Sequence, residues 1–167
     1  MQMNSDLEIL KKGMQKAPVD VARIIRDLGI RYAAVPMPTS QSGFIQHVDG
    51  EYAITVNASE SYQRQRFTAA HELAHYLLHR DMLSERGALS RHNDSLFDGE
   101  RNPFQPFSER HEVEANNLAA EILMPKEAIS AAYDPIADNV AELAMRFGVS
   151  RRAMEIRLKI LGLRRMP

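Results

Sequence analysis

The sequence predicts an α+β fold, mostly helical, with a small antiparallel sheet and a helix-turn-helix-like segment at its C-terminal end. Three observations predict it. Between residues 31 and 57, short apolar stretches end at Pro36, Pro38 and an Asp49-Gly50 pair, the punctuation of strands. From Ser61 onward the apolar spacing becomes helical. Residues 139–167 carry seven Lys/Arg against two acidic residues, or +5, while the rest carries −6, so the net charge of −1 conceals a basic tail on an acidic body. The boundary is placed at 135/136, giving a main domain over 1–135 and a basic helical segment over 136–167.

The elements follow in order. Residues 5–16 and 18–28 read as helices, the second with Pro18 near its first turn and Gly29 past its end. Arg31 to Val35 reads as a strand. Gly43–Val48 and Glu51–Asn57 flank Asp49-Gly50, which suits a two-residue hairpin turn; Tyr52, Ile54 and Val56 alternate with Ala53 and Thr55. A long helix spans 61–80. Residues 81–107 lose periodicity and carry Gly87, Gly99, Pro103 and Pro106, so a long loop is expected. A helix from Ser108 to Met124 is stopped by Pro125, and shorter ones follow near 126–133, 138–147 and 150–161.

The chain of 167 residues is 44% hydrophobic and 26% charged, ordinary globular chemistry. It contains no Cys, which excludes disulfides, thiol nucleophiles and thiolate ligands. Met1 to Lys16 mixes Asp6, Glu8, Lys11 and Lys12 among apolar residues and does not read as a secretory signal. No apolar run has membrane-spanning length, so a cytoplasmic location is expected.

His71-Glu72-Leu73-Ala74-His75 lies within the 61–80 helix. At 100° per residue the two imidazoles stand about 40° apart and one turn apart in height, so they can converge on one ion. Glu72 lies about 100° round from His71, where its carboxylate can act on a water without displacing either ligand. This is the pattern of zinc-dependent peptidases, with Zn²⁺ polarising the scissile carbonyl and Glu72 as general acid/base. His79 continues the i, i+4 series but lies about 12 Å along the axis from His71, too far to share the ion. It is expected to pack or to stand behind a ligand.

The third ligand is sought on the 108–124 helix. With Glu112 at zero, Leu118, Ile122, Ala115, Ala119 and Leu123 fall at about 240°, 280°, 300°, 340° and 20°. Glu112 thus sits in the apolar face, while Glu114 and Glu121 fall at about 200° and 180°, on the polar one. An acid on a buried stripe needs a cationic partner, either a metal or a buried Arg or Lys. Asn116, one turn beyond, can hydrogen-bond a ligand histidine.

Three stretches now resemble one family, the ImmA/IrrE metallo-endopeptidases. Arg66-Phe67-Thr68-Ala69-Ala70-His71-Glu72-Leu73-Ala74-His75-Tyr76-Leu77-Leu78-His79 is similar to its metal helix. Glu112-Val113-Glu114-Ala115-Asn116-Asn117-Leu118-Ala119-Ala120-Glu121-Ile122-Leu123-Met124-Pro125 resembles its ligand-bearing helix, and the hairpin arm ending at Asn57 fits the preceding strand. The resemblance implies a small zincin-like domain in which His71, His75 and Glu112 hold zinc and Glu72 is the general acid/base. It further implies a protein substrate, a helix-turn-helix transcriptional repressor, and in some members a toxin–antitoxin setting. Ala74 departs from the family's usual Gly.

In the tail, Ala144, Gly148, Val149, Ser150 and Met154 match a helix-turn-helix outline, with Arg151, Arg152, Arg157 and Lys159 on its second helix. The outline fits DNA contact or plain packing, and packing is favoured. A DNA-binding regulator, or a toxin–antitoxin component, with an inactive or structural metal site is the rival function. Tyr62, Tyr76, His92, Arg110 and His111 are equal candidates for stabilising the transition-state oxyanion.

Overall fold

A capped helix start corrects the first expectation. Asp20 accepts a hydrogen bond from the Arg23 N–H at 3.0 Å, which fixes the beginning of α2 (Val21–Asp27) three residues past Pro18. The preceding helix α1 runs over Gln2–Gly13 rather than 5–16. The computed structural model describes residues 2–84, 90–93 and 107–165.

Strands β1 (Arg31–Val35), β2 (Gln41–Val48) and β3 (Glu51–Asn57) follow. The β2–β3 hairpin closes through Asp49 and Gly50, both at positive φ (53° and 79°), as a two-residue turn of matching twist requires. The sheet is not purely antiparallel. β1 pairs with β3 in parallel, and the order is β1-β3-β2-β4, where β4 is Ser90–Asn93. Asn57 explains how the chain passes β3 to start β2. Its side chain accepts from the Met37 N–H at 3.0 Å and donates to the Gln41 carbonyl at 2.7 Å, tying the 36–41 connection across the end of β3.

The expected 81–107 loop is partly regular. Helix α3 (Tyr62–Ser84) runs past residue 80, and β4 takes up four further residues. Positions 85–89 and 94–106 lie outside the described residues.

Helix α4 (Glu109–Leu123) opens on a reciprocal cap, with His111 N–H donating to Ser108 Oγ and Ser108 N–H donating to His111 Nδ1. Three short helices follow, α5 (Lys126–Ala132), α6 (Val140–Phe147) and α7 (Arg151–Ile160). Helix α3 packs on β2 and β3 with one face and along α4 with another. Gly43 lets it approach, since a Cβ there would stand 2.5 Å from the Thr55 carbonyl oxygen and 2.7 Å from Thr68 Cγ2. Ile45, Ile54 and Val56 of the sheet, Leu73 of α3, Ile122 and Leu123 of α4, and Leu143, Phe147, Met154 and Leu158 of α6 and α7 share one core. Among the described residues no helix is long and apolar enough to cross a membrane.

Candidate metal centre

Helices α3 and α4 bring His71, His75 and Glu112 together. His71 Nε2 lies 3.0 Å from His75 Nε2 and 3.1 Å from one Glu112 carboxylate oxygen; His75 Nε2 lies 3.4 Å from the other. Both histidines are fully buried, while Glu112 retains some surface. Two small residues on its own face, Ala115 and Ala119, are buried where α4 meets α3 and leave room for this approach.

Hydrogen bonding decides which ring nitrogens carry protons. Asn116 Oδ1, an amide carbonyl oxygen, lies 2.8 Å from His71 Nδ1 and can only accept, so in the neutral ring Nδ1 holds the proton and Nε2 the lone pair. Behind His75 the chain is longer. Glu114 accepts from His79 Nε2–H at 2.9 Å, which leaves His79 Nδ1 to accept from His75 Nδ1–H at 3.0 Å. The His75 Nε2 lone pair therefore also faces Glu112.

Two imidazole lone pairs and a carboxylate facing one another at 3.0–3.4 Å repel unless a cation stands between them. Ligands at about 2.0–2.1 Å in tetrahedral array stand about 3.3–3.4 Å apart, so the donor set and spacing fit a divalent ion. Glu72 follows His71 on the same helix and is itself fully buried. Tertiary packing fixes the rings further, with Phe107 stacked on His75 at 3.8 Å between centroids and 8° between planes.

Comparison with known proteins agrees with this geometry. The family described as the IrrE N-terminal-like domain, a peptidase family, matches residues 25–159. The chain belongs to that family. No curated protein matches it. Among solved structures, a Mycobacterium tuberculosis transcriptional regulator superposes with a TM-score of 0.62 at 20% identity, over 95% of this chain and 46% of that one. At that identity the likeness is one of fold, and this chain spans less than half of the regulator's length.

In this IrrE-like domain the other sequence-predicted residues are placed as follows. Tyr62 lies exposed beneath the Arg66 guanidinium, and Tyr76 is buried against Tyr52 and Arg80. Burial pushes the Tyr76 hydroxyl above its ordinary pKa, with Arg80 opposing. Arg110 holds Glu114 at 2.9 Å. His111 caps α4 and also joins the aromatic cluster of His79 and Phe107. The His92 side chain lies outside the described residues.

The helix-turn-helix outline is present, with Gly148 left-handed between α6 and α7 (φ +64°) and Ser150 capping α7. Its basic residues divide. Arg157 is buried, donating to the Met124 carbonyl and pairing with Glu121. Arg151 pairs with Glu155 on the surface, and Arg152 and Lys159 are exposed. Two residues read as polar-face acids are thus engaged, Glu121 by Arg157 and Glu114 by His79. Sequence reasoning missed Phe107 and the Glu114–His79 bond; the His71, His75, His79 series at four-residue spacing was the available signal.

Proposed function

We propose that this chain is a zinc-dependent endopeptidase acting in the cytoplasm, and that its substrate is a partner protein of the helix-turn-helix repressor class. The convergence of His71, His75 and Glu112 carries the peptidase reading, and family membership supports it. The repressor class rests on the resemblance of the two helix motifs to ImmA/IrrE enzymes.

His71, His75 and Glu112 would hold the ion, and Asn116 fixes the His71 tautomer. Zinc, when bound, supplies a Lewis acid that lowers the pKa of water and polarises the scissile carbonyl. Glu72 takes the proton from the attacking water and delivers it to the departing amine. The β2–β3 hairpin is flanked on both sides, by β1 and β4. Among the described residues the sheet ends at β4 on the β2 side, and an extended substrate segment would add there.

The test uses the purified chain, zinc and a repressor encoded beside its gene. Cleavage by the wild type, with a Glu72→Gln variant that keeps zinc and cuts about 10²–10⁴-fold more slowly, is the expected result. Cutting at wild-type rate by Glu72→Gln contradicts the mechanism. Cleavage of unfolded proteins but of no repressor would retain the peptidase and remove the substrate class. DNA contact by the tail is the second reading, supported by exposed Arg152 and Lys159, and a mobility-shift titration at physiological salt tests it.

A further inference from the structure

We propose that Glu114 and His79 are positioning residues that act through His75, holding its ring and its tautomer so that Nε2 presents a lone pair to the metal. This deepens the metal-site reading and rests on it.

The hydrogen bonds run in one direction. Glu114 is anchored from outside, its Oε1 accepting from Arg110 Nε–H at 2.9 Å and its Oε2 from His79 Nε2–H at 2.9 Å. His79 then accepts from His75 at 3.0 Å. With a carboxylate at the far end, only one proton arrangement satisfies every link for neutral rings, and it leaves His75 Nε2 unprotonated. The negative end of the chain also raises the basicity of His75 as a ligand.

The backbone supplies an independent observation. Helix α3 departs from helical geometry at His79 itself, at φ −130° and ψ 17°. Two helical segments meet there in a kink. Here the ring is held by its neighbours, 5.2 Å from His75, 5.6 Å from Phe107 and 4.7 Å from His111 between centroids. His79 is 7% exposed, so its two ring nitrogens depend on these partners. The two metal-facing histidines are therefore oriented by different means, His71 by one neutral amide and His75 by a two-residue chain ending in charge.

The experiment measures zinc affinity by competition with a chromophoric chelator, on full-length protein and without substrate. His79→Phe keeps a ring in the aromatic cluster and removes the acceptor; zinc should bind about 10–100-fold more weakly. His79→Asn retains an oxygen near the position of Nδ1 and should recover most of the loss, which a role in packing alone does not predict. Glu114→Gln, at a half-exposed position, should weaken zinc by at least about threefold. In metal-free wild type, ¹⁵N shifts of His75 should report a proton on Nδ1, and in His79→Phe exchange between both nitrogens. Wild-type-like affinity, within twofold, in both His79→Phe and Glu114→Gln overturns the relay. If His79→Phe fails to fold, Glu114→Gln decides alone. Tight zinc binding by wild type with unchanged variants removes the relay only, whereas absence of zinc binding by wild type removes the metal site with it.

Discussion

The seam between α3 and α4 and the seam between the tail and the rest of the chain both bury polar side chains, to opposite ends. At the tail, half-buried Arg66 and buried Arg157 meet protein acceptors. Arg66 donates to the Val19, Phe147 and Gly148 carbonyls, and Arg157 to the Met124 carbonyl and Glu121. Burial pulls the Arg66 guanidinium below its ordinary pKa, and Tyr62 opposes the shift. Between α3 and α4, by contrast, Asn116 and His79 take the outer protons of His71 and His75, so their inner lone pairs face a carboxylate. A polar seam whose donors and acceptors match is a staple. One whose acceptors all converge on a point is a place for a cation.

Variants can sharpen or break this contrast, and the largest effect is expected in catalysis. Glu72→Gln should reduce cleavage by about 10²–10⁴-fold while leaving zinc affinity intact, read from a cleavage time course beside a chelator titration. Arg66→Met, at the staple, should cost about 2–3 kcal/mol because three carbonyls lose a charged donor. Its zinc affinity should equal wild type; a parallel loss of affinity would blur the two seams. Gly148→Ala should cost about 1–2 kcal/mol in denaturant unfolding, since its φ of +64° is left-handed. Arg152→Glu, on an exposed face, should change stability by less than about 0.5 kcal/mol and leave peptidase activity unchanged.

How much of this was legible in the sequence depends on how local each cause is. His71, Glu72 and His75 were readable because one helical turn sets their relation, and Glu112 because the wheel placed an acid among Leu and Ala. The Asp49-Gly50 turn followed from backbone conformation alone. Pairings made at a distance were not readable. β1 joins β3 in parallel because Asn57 ties the connection across the strand end, which no periodicity reports. Glu114 lay on the polar face of its own helix, so its bond to His79 required knowing how α3 bends and where α4 crosses it. Arg157 was legible only as one of four basic residues on the second helix of the outline, because its partners, Met124 and Glu121, stand 33 and 36 residues away.

One ion held by three side chains from two helices is tested most directly by zinc titration of wild type beside Glu112→Ala. One zinc per chain is expected for wild type, with a loss in Glu112→Ala exceeding the about 10–100-fold typical of a residue behind a ligand. At free zinc of about 100 times Kd, wild type should also gain about 2.7 kcal/mol of stability, and the variant none at that concentration. Equal zinc affinity in the two proteins would contradict the three-ligand site.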